Sequence, residues 1–242
     1  MNCVCCKGTV FPWKELSILH CDACGHGILS RDTKNPFLKE ESFTKRFHNL
    51  ENTPQSRGLS ALRLSFIQSF WNRRGLIVDL GCSVGSFMKV AIKHGYKAIG
   101  YDSSPFASLM ASKSGLQVIQ ADIQSLDGYM PKAGCFTLFD VLEHIDDPLK
   151  LMTSVRKSLD TDGVVVISTP DSTGVTKTQF PSWRHYKPDE HKHYFTVNSL
   201  DLLLKKSGLN SLLKTNLESE IRVNSARETN NILTVVANGS KD

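Results

Sequence analysis

The stretch from Leu76 to Phe87 combines an acidic residue with two closely spaced glycines, and these residue types suit ligand binding. An apolar run ends at Asp79, Gly81 and Gly85 follow, and a helical pattern then begins. This order is typical of a buried strand that ends in a tight turn and opens a helix. The free N–H groups at the start of such a helix favour a carboxylate or phosphate. We therefore expect a ligand at this turn, with Asp79 accepting a hydrogen bond from an ammonium or hydroxyl group.

Two more predicted strands end in aspartate. The second strand, Tyr96–Tyr101, leads into Asp102, which follows Asp79 by 23 residues. At this kind of spacing, an acidic residue at the tip of the second strand holds the hydroxyls of an adenosine ribose. A third strand ends at Asp122. A tight turn alone would explain the glycines, but three successive strands that end in aspartate favour a nucleoside-containing ligand.

Four cysteines near the N-terminus form two Cys-x-x-Cys pairs that are separated by 14 residues. They are Cys3, Cys6, Cys21 and Cys24. Each pair can place two thiolates on one ion, and four sulfurs in a tetrahedron match the preference of zinc. We therefore predict a structural zinc ribbon over residues 1–30, in which Cys5 or His26 could replace one ligand. Four thiolates leave no open position on the ion, so this metal would not take part in catalysis.

Histidines gather near the end of the predicted fourth strand and in the aromatic segment after the fifth. They are His144, His185, His191 and His193, four of the eight in the chain. Removing a proton from a hydroxyl group at neutral pH needs a base of near-neutral pKa, and histidine provides one. We predict that His144 is this base, with Glu143 beside it and with His191 and His193 as alternatives. The competing interpretation is that His144 only caps a turn and that the aromatic segment is a packed loop.

The elements that must position these residues alternate between strand and helix patterns, which predicts an α/β fold. We expect a doubly wound, mostly parallel, seven-stranded Rossmann-like sheet, with a small N-terminal zinc ribbon and a final antiparallel pair of strands. The predicted organisation is a ribbon at 1–30, a linker with N-terminal helices at 31–75, and a core at 76–242. The core includes a loop at 170–195 that would cover a second substrate, the acceptor, and we call this loop the acceptor lid.

Two charged segments receive a plain structural interpretation. The helix before the first strand carries Arg57 and Arg63, which we interpret as solvated charges, with contact to an acceptor as the alternative. The polar segment Glu218–Thr229 predicts a hairpin loop between the last two strands.

Composition and charge limit the class of protein. The 242 residues are 40% hydrophobic and carry a formal net charge of +5. Residues 1–75 hold 11 Lys and Arg against 6 Asp and Glu, whereas residues 76–242 hold 18 of each. This N-terminal excess could attract an anionic acceptor, but without a dense basic run it is weak evidence for nucleic acid. The sequence indicates no oligomeric state.

The chain shows no apolar run of transmembrane length and no signal-peptide core at its start, which favours a cytoplasmic location without a membrane partner. Seven cysteines without a secretory signal favour metal binding or reduced thiols over a disulfide framework.

Four motifs occur in the order of a known enzyme class. They are Asp79-Leu-Gly-Cys-Ser-Val-Gly-Ser-Phe87, Gly100-Tyr-Asp102, Ala121-Asp-Ile123 and Phe139-Asp-Val-Leu-Glu-His-Ile-Asp-Asp-Pro148. Together they resemble the class I S-adenosylmethionine-dependent methyltransferases, in the branch of ubiquinone-type O-methyltransferases and methyltransferases of glycan and natural-product pathways. The resemblance covers roughly residues 56–237. Ser83 stands where the commonest form of the turn has a glycine.

The resemblance implies S-adenosylmethionine as the cofactor and supplies its binding residues. They are Asp79, Gly81, Cys82, Gly85, Asp102, Ser103, Asp122, Ile123 and Asp140. It also implies a Glu-His pair at the end of the fourth strand, where ubiquinone-type enzymes carry a Glu-x-x-Glu-His set that can bind magnesium. Here the shorter Asp140 takes the first place of that set, before Glu143 and His144.

Three functions compete. We favour O-methylation of a small molecule such as a sugar, a glycan precursor or a phenolic or isoprenoid metabolite. The alternative is an RNA methyltransferase whose zinc ribbon and basic N-terminal third hold the nucleic acid, although no Asn-Pro-Pro-aromatic motif of amino-group methylation follows the fourth strand. A non-catalytic binding module is the third, and the complete glycine and aspartate set argues against it.

Overall fold

The computed structural model describes residues 2–30, 53–222 and 231–239. Residues 31–52 of the predicted linker with N-terminal helices lie outside the described residues. The strands are β1 (Phe11–Trp13), β2 (Ile18–His20), β3 (Gly27–Leu29), β4 (Leu76–Leu80), β5 (Lys97–Asp102), β6 (Val118–Gln120), β7 (Ala133–Phe139), β8 (Leu159–Pro170), β9 (His193–Tyr194), β10 (Leu209–Thr215) and β11 (Ile232–Gly239). The helices are α1 (Pro54–Phe70), α2 (Ser86–Lys93), α3 (Pro105–Lys113), α4 (Pro148–Ser158), α5 (Val197–Lys206) and α6 (Leu217–Ile221).

Seven of these strands form the central sheet in the order β10-β11-β8-β7-β4-β5-β6. The pairs among β8, β7, β4, β5 and β6 are parallel, and β11 is antiparallel to both of its neighbours. The predicted α/β class and mostly parallel Rossmann-like sheet are confirmed. Because the parallel strands run the same way, the residues at their carboxyl ends meet at one edge.

Helices cover both faces of the sheet, since the buried strands are apolar on both sides. Phe136 and Leu138 of β7 pack in a core with residues of α4 and α5. Cys135, which points to the other face, packs with residues of α1 and α2. This two-sided burial fixes the register of β7 and so fixes where its carboxyl end presents side chains.

The turn after β4 needs glycine for conformation and for space. Gly81 and Gly85 have φ values of +75° and +78°, and a Cβ on Gly81 would lie 2.4 Å from Cγ2 of Val141. Ser83 takes the same left-handed region, with φ at +50°, without the freedom of glycine. Its N–H donates to Oδ2 of Asp102 at 2.8 Å, so the acidic end of β5 stabilises the strained turn.

The N-terminal strands form a second, antiparallel sheet in the order β1-β2-β3-β9. We call residues 2–30 the N-terminal ribbon. Its last strand, β3, pairs with β9, which belongs to the predicted acceptor lid. The ribbon and the lid therefore share one sheet.

Polar side chains cap the N-termini of core helices. Thr196 caps α5 as its sequence position predicts, accepting from the N–H of Ser199, and Ser104 caps α3 in the same way. None of the described helices has the length and apolar character needed to cross a membrane.

Replacing Gly81 by Ala should destabilise the protein more than replacing Gly115. Both glycines have left-handed φ values, +75° and +78°, in which an added Cβ costs about 1–2 kcal/mol. Position 81 adds the contact with Val141, whereas the described part of the chain places no atom within 4 Å of a Cβ at position 115. We expect urea unfolding to show a further loss of about 1–3 kcal/mol for Gly81→Ala. Equal losses would show that the Val141 contact relaxes without cost.

Candidate active site

The carboxylate of Asp79 lies at the end of β4 and is 3% exposed. Its Oδ1 accepts a hydrogen bond of 2.6 Å from the hydroxyl group of Thr137 on the neighbouring strand β7. This bond fixes the orientation of the carboxylate at the sheet edge, next to the turn that carries Gly81.

Asp102 ends β5 and orders the glycine turn. Its two oxygens each accept a backbone N–H at 2.8 Å, one from Ser83 and one from Ser104. Burial raises the pKa of Asp102, and these two hydrogen bonds oppose the increase. A carboxylate has about four acceptor positions, so two backbone bonds leave capacity for ribose hydroxyls.

The other predicted cofactor residues lie along the same edge. Asp122 caps a short 3-10 turn, Ile123–Ser125, by accepting from the N–H of Gln124 at 3.0 Å, and Ile123 is buried. Ser103 is half-buried beside Asp102. The buried Cys82 packs against β5 so closely that a Cβ on Gly100 would lie 2.4 Å from its Sγ.

Asp140 follows β7 and binds two arginines. Nη1 and Nη2 of Arg222 donate to its two oxygens at 3.0 and 2.8 Å, and Nη2 of Arg63 donates at 3.3 Å. Burial opposes ionisation of Asp140, but the two arginines outweigh it and hold its pKa well below the usual range. Its backbone is left-handed, with φ at +57°, which turns the chain away from the strand.

Glu218 completes this cluster and is fully buried. It accepts from Nε and Nη2 of Arg63 at 3.1 and 3.0 Å and from Nη2 of Arg222 at 2.7 Å. We call Arg63, Asp140, Glu218 and Arg222 the charge network. Its two positive and two negative groups balance, as burial requires.

Sequence reasoning missed most of this network. Arg63 was predicted to be solvated but is 8% exposed, and Glu218 lies in helix α6 where the sequence predicted a polar loop. The four-residue spacing of Glu218 and Arg222, which pair in the structure, was the signal for a helical turn.

The structure brings Glu143, His144 and His191 together beyond β7. The first two lie on a 3-10 turn, Leu142–His144, and the candidate ligand atoms of all three lie within 4.8 Å of one another. The rings of His144 and His191 meet edge to face, with centroids 4.8 Å apart. Oε2 of Glu143 accepts from the hydroxyl group of Thr169 at 2.9 Å, and Oε1 lies 4.0 Å from Nε2 of His144.

Backbone carbonyls set the tautomers of both imidazoles. Nδ1 of His144 lies 2.8 Å from the carbonyl oxygen of Glu190, and Nδ1 of His191 lies 2.9 Å from that of His185. A carbonyl oxygen only accepts, so Nδ1 carries the proton and Nε2 is the proton acceptor in each neutral ring. Burial lowers the pKa of His144, and burial together with the charge of His144 lowers that of His191 to about 2. Because a useful base keeps a pKa near the working pH, His144 is the better candidate.

His193 does not join this group among the described residues. Its Nδ1 lies 3.1 Å from Nε2 of His26, and its ring stacks on the rings of His26 and Phe195. His193 as an alternative base stays a prediction, and its ring faces the N-terminal ribbon.

Magnesium does not fit the residues predicted for it. The oxygens of Asp140 are engaged by Arg222 and Arg63, and His191 takes its place near Glu143 and His144. Two imidazoles and one carboxyl are a poor donor set for Mg²⁺, which prefers oxygen ligands.

The four predicted zinc ligands converge in the ribbon. The Sγ atoms of Cys3, Cys6, Cys21 and Cys24 all lie within 4.8 Å of one another, with Cys3 and Cys24 at 3.6 Å and Cys6 and Cys21 at 3.4 Å. Four sulfurs at about 2.3 Å from one ion would be roughly 3.8 Å apart, so this set fits a tetrahedral site. The buried Cys5 and His26 both lie near Cys3, outside the set of four.

Comparison with known proteins places the chain among methyltransferases. Residues 55–214 match the family described as a methyltransferase domain. A ubiquinone biosynthesis O-methyltransferase of Actinobacillus pleuropneumoniae serotype 7 is 30% identical over 130 residues, which are 48% of this chain and 55% of the relative. A tRNA U34 carboxymethyltransferase of Campylobacter fetus is 30% identical over 118 residues, 46% of this chain and 42% of the relative. The chain thus spans about half the length of the curated relatives it matches.

Solved structures share the fold at low sequence identity. A S-adenosylmethionine-dependent methyltransferase from Clostridium acetobutylicum superposes with a TM-score of 0.62 at 14% identity, covering 82% of this chain and 99% of that chain. Magnesium protoporphyrin IX methyltransferase from Synechocystis, with bound S-adenosylhomocysteine, gives 0.64 at 13% identity and covers 83% and 95%. A Burkholderia thailandensis 1,6-didemethyltoxoflavin-N1-methyltransferase gives 0.61 at 16% identity and covers 89% and 96%.

Glu143 should make the stability of the protein fall as pH rises. Burial, with the charge of Asp140, raises the pKa of Glu143 from 4.5 to about 8. Between these values the folded protein keeps a proton that the unfolded chain has lost, so the free energy of unfolding decreases with pH. We expect Glu143→Gln to remove this slope, which is on the order of 1 kcal/mol per pH unit. Urea unfolding of both proteins from about pH 5 to 8 measures it, and parallel curves would contradict a protonated Glu143.

Proposed function

This chain belongs to the methyltransferase-domain family, and from that premise we propose that it transfers the methyl group of S-adenosylmethionine to a hydroxyl group of a small molecule. The observation that carries the proposal is the orientation of His144. The carbonyl oxygen of Glu190 holds the proton on Nδ1, so Nε2 is the nitrogen of the neutral ring that can accept a proton beyond β7. The acceptor would be a sugar, a glycan precursor, or a phenolic or isoprenoid metabolite.

Methyl transfer to a hydroxyl group requires two contributions from the protein, alignment of the reactants and removal of a proton. The bound cofactor supplies an activated methyl group on a sulfonium, and the reaction is an in-line displacement that depends on alignment. For a hydroxyl acceptor, a base must also take the hydroxyl proton as the new carbon–oxygen bond forms. His144 would take that proton on Nε2, and Glu143, neutral at pH 7, would not compete for it.

The glycine turn provides the cradle for the cofactor. Gly81 and Gly85 permit the left-handed backbone of the turn, and Asp102, already fixed by two backbone N–H groups, would accept from the ribose hydroxyls. The remaining predicted contacts are Asp79, Cys82, Ser103, Asp122 and Ile123. Asp140 would act only through the charge network, because arginines occupy its oxygens.

Relatives with small-molecule acceptors support this class of substrate. The ubiquinone biosynthesis enzyme is an O-methyltransferase, and the Burkholderia structure contains 1,6-didemethyltoxoflavin. The alternative acceptor is RNA, favoured by the tRNA-modifying relative and by the basic N-terminal third.

Acceptor class can be tested by thermal shift. The protein with S-adenosylhomocysteine is screened against nucleotide-sugars, phenols and a structured RNA, because a ligand that binds only the folded state raises Tm. Stabilisation by small hydroxyl compounds alone supports the proposal. Stabilisation by RNA alone would contradict the proposal and support methylation of RNA.

The ribbon would hold one structural zinc ion. Its ligands would be Cys3, Cys6, Cys21 and Cys24, with Cys5 and His26 outside the coordination sphere. We propose the ribbon at residues 1–30 and the methyltransferase core at 76–242 as the two functional parts of the chain.

The zinc content of the protein should depend on Cys3, Cys6, Cys21 and Cys24 and not on Cys5. We expect about one zinc per chain in purified protein, its loss in the Cys21→Ser, Cys24→Ser double variant, and its retention in Cys5→Ser. Metal analysis of the three proteins checks this. Loss of zinc in Cys5→Ser would move Cys5 into the coordination sphere.

Asp102→Ala should weaken cofactor binding. Two hydrogen bonds to a charged acceptor contribute together roughly 3 kcal/mol, which corresponds to an affinity loss of about 100-fold or more. Calorimetry with S-adenosylhomocysteine measures the change, and Asp160→Ala, at an exposed aspartate, is the control. Unchanged affinity in Asp102→Ala would remove the end of β5 from the cofactor site.

His144→Ala should slow turnover and leave cofactor affinity unchanged. A general base contributes about 10² to 10⁴-fold, and the variant should fall in that range with an identified acceptor. Because burial lowers the pKa of His144, the wild-type rate should decline below the ordinary histidine range, and the variant should lose this acidic limb. His191→Ala is the matched comparison. If it loses the rate and His144→Ala keeps it, the base belongs to the lid.

A further inference from the structure

The ribbon and the acceptor lid are joined by backbone pairing. In the β3–β9 pair, Gly27 lies opposite Tyr194 and Ile28 opposite His193. The hydroxyl group of Thr196, just beyond β9, donates to the carbonyl oxygen of Cys24 at 2.7 Å. The end of the lid is thus held by β3 and by Cys24, which is itself a candidate zinc ligand.

Two buried histidines connect the sulfur cluster to β9. Nδ1 of His26 lies 3.6 Å from Sγ of Cys3, and Nε2 of His26 lies 3.1 Å from Nδ1 of His193. The rings are stacked at a centroid distance of 5.2 Å, and the two residues are 1% and 2% exposed. A thiolate in a metal site accepts N–H donors, so His26 would donate to Cys3 and accept from His193.

Lys192 extends this connection to the candidate base. Its carbonyl oxygen accepts from the N–H of Leu29 in the ribbon at 2.8 Å, and its own N–H donates to the carbonyl oxygen of Glu143 at 2.8 Å. Two residues earlier, Glu190 holds Nδ1 of His144. One short segment therefore contacts the ribbon on one side and the candidate base on the other.

The cofactor turn is held by different contacts. The N–H groups of Gly81 and Cys82 donate to the carbonyl oxygen of Tyr101 at 2.7 and 3.1 Å, and Asp102 accepts from Ser83. These bonds lie within β4, β5 and the turn between β4 and α2.

We propose that the metal-loaded ribbon positions the acceptor side of the active site through His26, His193 and Lys192, while the cofactor turn is held independently. Removing the metal removes the constraint that folds the ribbon, and β9 then loses its partner strand. Glu190 and Lys192 lose their fixed positions, and with them His144 loses its orientation. The inference rests on the proposed function, both for the zinc ion and for the role of His144.

Hydrogen exchange of the backbone amides, measured with zinc as the only added ligand and after its removal, tests this inference. Zinc-loaded wild type is compared with chelator-stripped wild type and with zinc-loaded His193→Phe, which keeps a ring but cannot hydrogen-bond to His26. We expect exchange of residues 186–196 to accelerate about tenfold or more in the last two proteins. Exchange of residues 76–87 and affinity for S-adenosylhomocysteine should change by less than about twofold.

Two further variants distinguish loss of the His26–His193 hydrogen bond from a general disturbance of packing in the ribbon. His193→Asn keeps an amide near the place of Nδ1 and should restore slow exchange in the lid. His20→Phe changes another ribbon histidine, whose ring stacks on Trp13, and should leave exchange of the lid unchanged.

The outcomes distinguish the inference from its premise. Wild type that binds zinc and S-adenosylhomocysteine, yet shows unchanged lid exchange when stripped, would overturn the inference alone. Equal acceleration of residues 76–87 would also overturn it, because the metal would then stabilise the whole chain. Wild type without zinc, or without affinity for S-adenosylhomocysteine, would overturn the proposed function together with the inference.

Discussion

Two arginines and two carboxylates neutralise one another at the end of β7, and the geometry of the candidate site depends on that balance. Arg63 comes from α1, Glu218 and Arg222 from α6 and the residue after it, and Asp140 from the strand end. Loss of one member would leave an uncompensated buried charge, which is far costlier than the net contribution of the complete set. The network also acts on its neighbours, since the charge of Asp140 adds to the burial that raises the pKa of Glu143.

The protonation states that follow suit a cationic cofactor. Burial keeps the imidazoles of His144 and His191 neutral near pH 7, and Glu143 holds its proton. A protonated imidazole would repel a sulfonium in a site of low dielectric, whereas a neutral one does not. In the charge network, the two arginines contact the two carboxylates, so their charges cancel. Charge balance thus rests on other side chains than the neutral imidazoles.

The sequence predicted the sheet and its acidic edge well, because these depend on local patterns. Apolar runs that end in Asp79, Asp102 and Asp122 show both the strands and their tips, and Cys-x-x-Cys spacing is visible without a structure. The charge network and the role of His193 could not be predicted in the same way. Arg63 and Glu218 are 155 residues apart, and His26 and His193 are 167 apart. Local sequence periodicity does not show which distant side chains meet. The sequence around the buried Arg63 therefore looked like that of a solvated arginine.

The pairing of β3 with β9 has a consequence for the order in which the protein is made. All four candidate zinc ligands have been synthesised once Cys24 is added, whereas His193 follows 169 residues later. At about 5–20 residues per second, this interval is roughly 8–34 seconds. A ribbon that closes on its metal early presents the edge of β3 before its partner strand exists. The nascent ribbon can then act as a template onto which β9 and the segment beside His144 assemble last.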